Sequence, residues 1–83
     1  MDHKDHKQMI GQRIRWLRQG RRLSQKALAG QLGVCQQLIV RYEQGLVDLP
    51  ISRLLSLATI FGCPLDDLLT KKETTYDAFL PHP

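Results

Sequence analysis

The side chains able to do directed chemistry in this 83-residue chain are amides and guanidiniums rather than nucleophiles. Gln36, Gln37 and Arg41 stand within two turns of one another, and Gln25 lies further up the chain. A Gln carboxamide presents a donor and an acceptor side by side, and Arg presents a rigid fork of donors. Such groups recognise the edge of a planar partner; they do not break its bonds. His3, His6 and His82 lie near the two ends, and no Ser/His/Asp, Cys/His or P-loop arrangement exists. Cys35 and Cys63 stand singly in apolar helical patterns, without the C-x-x-C spacing of a zinc or redox site, and read as reduced, mostly buried thiols. Neither an enzyme nor a metal or cofactor is expected.

The distribution of charge says more than its total of +4. From Lys7 to Arg41 the chain carries Lys7, Arg13, Arg15, Arg18, Arg21, Arg22, Lys26 and Arg41 and no acid. After Glu43 the balance reverses, with Arg53, Lys71 and Lys72 set against Asp48, Asp66, Asp67, Glu73 and Asp77. A basic half joined to a mildly acidic half fits one face for a polyanion and another for something else. Solvated helix surfaces carry Lys and Arg too, so charge alone does not decide. No apolar run approaches the ~20 residues that cross a bilayer, and Met1 to Lys7 lacks the apolar stretch of a secretory signal, so a cytoplasmic protein is expected.

The elements that must position these groups follow from apolar spacing. Residues 1–7 are polar, with a doubled Asp-His-Lys, and read as a disordered lead. Met9/Ile10, Ile14 and Leu17 recur at helical spacing, giving a first helix that ends near Gly20. Ser24 is placed to cap a second helix whose Leu28 and Leu32 share a face, with Gly33 as its stop. A third runs from Gln36, turns Ile39 and Tyr42 inward, and closes at Gly45. After a loop over 46–50, Ser52 to Phe61 makes a broad apolar face, and Pro64 opens a fifth helix, Leu65 to Leu69. The reading is an all-α, five-helix domain over residues 8–70, with a tail over 71–83.

Two short helices joined by a glycine-containing turn form a helix-turn-helix, here Gln25 to Glu43. Small Ala29 falls where two backbones must approach closely, Gly33 at the turn, and Leu28, Leu32, Val34, Ile39 and Tyr42 where the helices share a core. With these positions the chain resembles the phage-repressor and Cro-like (XRE) family. The matching stretches are Ile10 to Arg18, Leu23-Ser24-Gln25, Leu28-Ala29, Leu32-Gly33-Val34, Ile39, Arg41-Tyr42-Glu43 with Gly45, Leu57-Ala58, and Pro64 to Leu69. Size and the loop between Gly45 and Ser52 look most like small controller proteins of restriction-modification systems or regulators of mobile elements.

The resemblance implies a regulator that binds a two-fold-related DNA operator as a homodimer, with recognition helix 36–44 in the major groove. Gln36, Gln37 and Arg41 are then the candidate base readers, and Leu38 and Val40, read as exposed, candidate partners for thymine methyls. Gln25 matches a phosphate-holding position of the family. Ser52 and Arg53 offer a second clamp at a helix start, while Arg21, Arg22 and Lys26 add general attraction. Arg18 and Glu43 match a structural ion pair of the family. Two departures stand out. Arg22 replaces the usual glycine before Leu23-Ser24-Gln25, so the turn either holds an arginine in a strained conformation or is shaped differently. Cys35 replaces the Ser or Thr usual at the N-cap of the recognition helix.

Candidate dimer contacts are Phe61, Leu69, Tyr76 and Phe79, with Trp16 a weaker one and Leu65 assigned to the core. The rival reading is a protein-interaction module on the same fold, an antiactivator or antitoxin that docks a partner through Leu38, Val40 and Leu46.

Overall fold

Apolar residues at helical spacing bury a stripe only if several helices turn their stripes inward together, and that requirement generates the architecture. The computed structural model describes residues 3–69, with side chains described from residue 6 onward. Its helices are α1 (His3–Gly20), α2 (Gln25–Leu32), α3 (Gln36–Gln44), α4 (Ile51–Phe61) and α5 (Asp66–Leu69), and no strand occurs among the described residues. Ile14 and Leu17 of α1, Leu28 and Ala29 of α2, Ile39 and Tyr42 of α3, Leu54, Leu57, Ala58 and Phe61 of α4, and Leu68 of α5 form one core.

α1 begins at His3, well before the apolar pattern that starts at Met9, where a disordered lead is expected. The polar run contains no proline or glycine to stop a helix, and tertiary contacts hold its later part. Lys7 pairs with Asp48 at 3.8 Å, and Gln8 packs so closely on Gly45 that a Cβ there would lie 2.8 Å from the Gln8 Cα. Gly11 permits a second close approach. A Cβ at this position would stand inside van der Waals contact of the carbonyl oxygens of Tyr42 and Glu43, so α1 crosses the end of α3 backbone to backbone.

The helix ends share one device. The chain turns left-handed at Gly33, Gly45 and Gly62, and the N–H of the following residue reaches back to the carbonyls of Ala29, Arg41 and Ala58 respectively. α1 ends the same way, with the Leu23 N–H on the Arg18 carbonyl, but the left-handed residue is Arg22 at φ 57° and not Gly20. The turn has thus kept the shape a glycine would favour.

Two substitutions of opposite sign test this account. A side chain in the left-handed region costs about 1–2 kcal/mol, partly offset by its smaller unfolded-state entropy. Arg22→Gly is therefore expected to raise stability by about 0.5–1 kcal/mol. Gly11→Ala forces α1 off α3 and is expected to lower stability by at least about 1–3 kcal/mol, both read from urea midpoints at constant slope.

Candidate nucleic-acid interface

α3 divides cleanly between an anchored and an open side. Ile39, Tyr42 and Glu43 are buried, whereas Gln36, Gln37, Arg41 and Gln44 are exposed. The period of 3.6 residues turns 37, 41 and 44 away from 39 and 42, while Gln36, on the same face as Glu43 but two turns earlier, is exposed at the helix start. Two amides in the first turn and a guanidinium one turn on therefore share open surface. Leu38 and Val40, expected to be exposed, are half-buried, with Leu38 packed against the core. The apolar part of the outward surface is smaller than spacing suggests, because α3 is sunk further into the groove left by its neighbours.

A buried carboxylate sets the pose of α3. Glu43 accepts from Arg18 Nε at 2.6 Å and from Arg18 Nη2 at 3.1 Å, and Arg18 Nη1 also donates to the Leu23 carbonyl at 2.9 Å. Both side chains are almost wholly out of solvent. Gln25 joins the same group, its Nε2 donating to Glu43 Oε1 at 3.1 Å. The start of α2 is thereby tied to the end of α3. In the first turn of α2 the Ser24 hydroxyl takes the Ala27 N–H and its carbonyl takes the Leu28 N–H. The N–H groups of Gln25 and Lys26 remain without an intrahelical acceptor, a local environment suited to an anion.

The other helix starts are barer. Cys35, expected to be buried, is exposed at the start of α3, and Cys63 is half-buried. Cys35 has the extended backbone of an N-cap, but its thiol makes no capping hydrogen bond. At α4 the cap is Pro50, which has no side-chain acceptor, and the helix begins at Ile51, just before the expected Ser52. Ser52 is exposed, Arg53 is half-buried, and Arg53 Nη1 donates to the Tyr42 hydroxyl at 2.8 Å. Arg22 and Lys26 are exposed.

Sequence reasoning missed a structural use of the arginines on and just after α1. Arg21 Nε donates to the Phe61 carbonyl at 2.9 Å, and its guanidinium lies 5.4 Å from the Phe61 ring centroid. Arg13 Nε donates to the Asp67 carbonyl at 2.6 Å, with its guanidinium 4.3 Å from the Trp16 ring. These carbonyls belong to the last turns of α4 and α5 and lack intrahelical donors. Two arginines of the basic run thus close helix ends from α1 and the turn after it, and a third, Arg18, is neutralised internally.

Phe61 is corrected outright. It is 3% exposed and faces the core under Arg21, so it is not available to a second chain. Leu69 stays exposed, while Tyr76 and Phe79 lie outside the described residues. No described helix is long and apolar enough to cross a membrane. No described group of three or more His, Cys, Asp or Glu could hold a metal ion.

Two consecutive short helices, a glycine turn and an outward polar face on the second define a helix-turn-helix fold. The chain belongs to the helix-turn-helix domain family, whose sequence profile matches residues 10–70. It is 39% identical over 57 residues to an uncharacterized transcriptional regulator in the ATPase CF(0) region of Rhodospirillum rubrum, covering 69% of this chain and 53% of that one. It is 32% identical over 69 residues to the cryptic phage CTXphi transcriptional repressor RstR of Vibrio cholerae, covering 83% of this chain and 62% of the relative. The chain therefore spans only part of the length of both relatives, 53% and 62%. Among solved structures, the restriction-modification controller protein C.AhdI from Aeromonas hydrophila superposes with a TM-score of 0.76 at 31% identity, over 82% of this chain and 99% of that one.

The Arg18, Glu43 and Cys35 geometry yields a paired expectation. Removing one member of a buried ion pair leaves the other charge stranded, so Glu43→Ala is expected to cost about 3–5 kcal/mol. Cys35→Ser supplies the missing cap acceptor and is expected to add about 0.5–1 kcal/mol. Thermal melts of both variants against the parent chain decide the matter.

Proposed function

We propose that this chain is a sequence-specific DNA-binding transcriptional regulator that places α3 in the major groove and binds a two-fold-related operator as a homodimer. The observation that carries the reading is the open side of α3. Gln36, Gln37, Arg41 and Gln44 are exposed together on a helix whose C-terminal end is clamped by the buried Arg18 and Glu43 pair. A major groove admits such a helix, Gln pairs bidentately with adenine, and Arg with guanine. Gln25, Ser52 and Arg53 hold phosphates at two helix starts, and Arg22 and Lys26 add salt-dependent attraction. Leu38 and Val40 keep enough exposure to touch a thymine methyl. The family membership, and relatives that are named as transcriptional regulators, support the same reading.

With Phe61 inside, the dimer contact is better placed on α4. Ile51 and Leu55 are 61% and 51% exposed and lie one turn apart, and Leu46 in the preceding loop is 62% exposed. This apolar surface starts in the same helical turn that Arg53 ties to Tyr42 of α3. A second copy docked there holds two recognition helices together on one side of the DNA, as successive major-groove turns require.

Selection from random DNA should enrich a motif with two-fold symmetry, and failure to enrich one would sink the proposal. With that motif, Gln36→Ala or Gln37→Ala should lose about 1–3 kcal/mol of discrimination at a single base pair while the circular dichroism spectrum stays that of the parent. Leu55→Asp should yield a monomer by sedimentation and weaken operator binding, whereas Leu69→Asp should do neither. The reverse pattern would move the dimer contact to α5.

A further inference from the structure

We propose that the Tyr42 hydroxyl is a positioning group for DNA binding: it presents the Arg53 guanidinium to the phosphate backbone and so couples the helix that reads bases to the helix that grips the strand. The inference rests on the DNA-binding reading above and adds a residue that reading does not use.

Three observations carry it. Tyr42 is 2% exposed, so its ring is held by the core and its hydroxyl is delivered to a fixed place. That hydroxyl accepts from Arg53 Nη1 at 2.8 Å. The Arg53 side chain makes no other hydrogen bond or ion pair among the described residues, so one of the donors of its fork is engaged and the others remain for a ligand. A free arginine on a surface helix loses rotamer freedom when it meets a phosphate. One already held at a single nitrogen loses less, and its remaining donors keep a defined direction.

The placement of the partner gives the contact its meaning. Tyr42 directly follows Arg41 in α3, on the inward side of the same helix, while Arg53 belongs to the first turn of α4. The Ile51 and Ser52 N–H groups in that turn have no intrahelical acceptor, and Pro50 supplies no side-chain cap, so the local field around Arg53 already favours an anion. A shift of α3 carries the phenol with it and redirects the guanidinium. Presentation of the clamp therefore follows the seating of the reader through one hydrogen bond.

The test is a double-mutant cycle on the full chain, with the selected operator duplex as probe. Arg53→Ala should weaken binding and lower the slope of log affinity against log salt by about one. Tyr42→Phe keeps the buried ring, and its melting temperature shows that the core is intact. It should weaken binding about three- to tenfold, the size expected for loss of a hydrogen bond to a charged group, and move the salt slope in the same direction. In the Arg53→Ala background Tyr42→Phe should have no further effect. If Tyr42→Phe leaves affinity unchanged, or weakens binding equally with and without Arg53, the positioning role is overturned while DNA binding stands. If Arg53→Ala binds like the parent with an unchanged salt slope, the clamp itself is wrong, and the inference falls with it. Loss of affinity in Gln36→Ala, measured alongside, tests the DNA reading independently of both.

Discussion

One buried carboxylate fixes the relation between the two helices of the helix-turn-helix. Glu43 receives Arg18 and Gln25, and Arg18 in turn holds the Leu23 carbonyl, so α1, the turn after it, the start of α2 and the end of α3 meet at a single anion. Burying two charges costs several kcal/mol per ion, and an apolar pair of similar volume often matches or exceeds the stability of such a bridge. Its particular contribution here is direction. Apolar surfaces slide past one another at little cost, whereas a carboxylate with three donors in place accepts one rotation of α3 about its axis. The side of α3 that faces solvent is set by that rotation.

The basic run from Lys7 to Arg41 then divides by what lies opposite each guanidinium. Lys7 meets Asp48, Arg13 and Arg21 meet carbonyls at the ends of α5 and α4 although Arg21 stays exposed, Arg18 meets Glu43, and Arg15, Arg22, Lys26 and Arg41 are exposed. Charge counted along the chain overstates the charge available to a polyanion. Arg13, Arg18 and Arg21 act as staples, joining α1 and its following turn to each of the last three helices. One cost is visible: Arg13 Nη2 is the buried side-chain nitrogen without a hydrogen-bond partner among the described residues, although its guanidinium stacks on Trp16.

Most of the helix boundaries were legible because they are set by local rules. Ser24 caps α2, glycines at 33, 45 and 62 end three helices, and the alternation of Ile39, Tyr42 and the outward amides gives the facing of α3. The features that escaped depend on which groups from distant segments meet. Nothing near Arg21 in sequence announces the end of α4, and nothing in the polar lead announces that Gln8 rests on Gly45. Phe61 looks like a surface contact on an apolar helix until Arg21 covers it. Arg18 and Glu43 stand 25 residues apart and carry no pairing signal of their own; only the family resemblance joins them. The hydrogen bond from Arg53 to Tyr42 had no such guide, since neither residue type nor spacing distinguishes it from an ordinary surface arginine beside a core aromatic.

The separation of α3 into an anchored and an open side has a consequence for how the protein can change. Ile39, Tyr42 and Glu43 hold the helix, and Gly11 lets α1 lie directly against its end. The outward residues contribute little to that grip. If these residues read bases as proposed, exchanging Gln36, Gln37, Arg41 and Gln44 as a set should alter preference and leave the melting temperature near that of the parent chain. The same independence makes this helix face a natural cassette: a new set of four side chains inherits a fixed pose from residues it never touches.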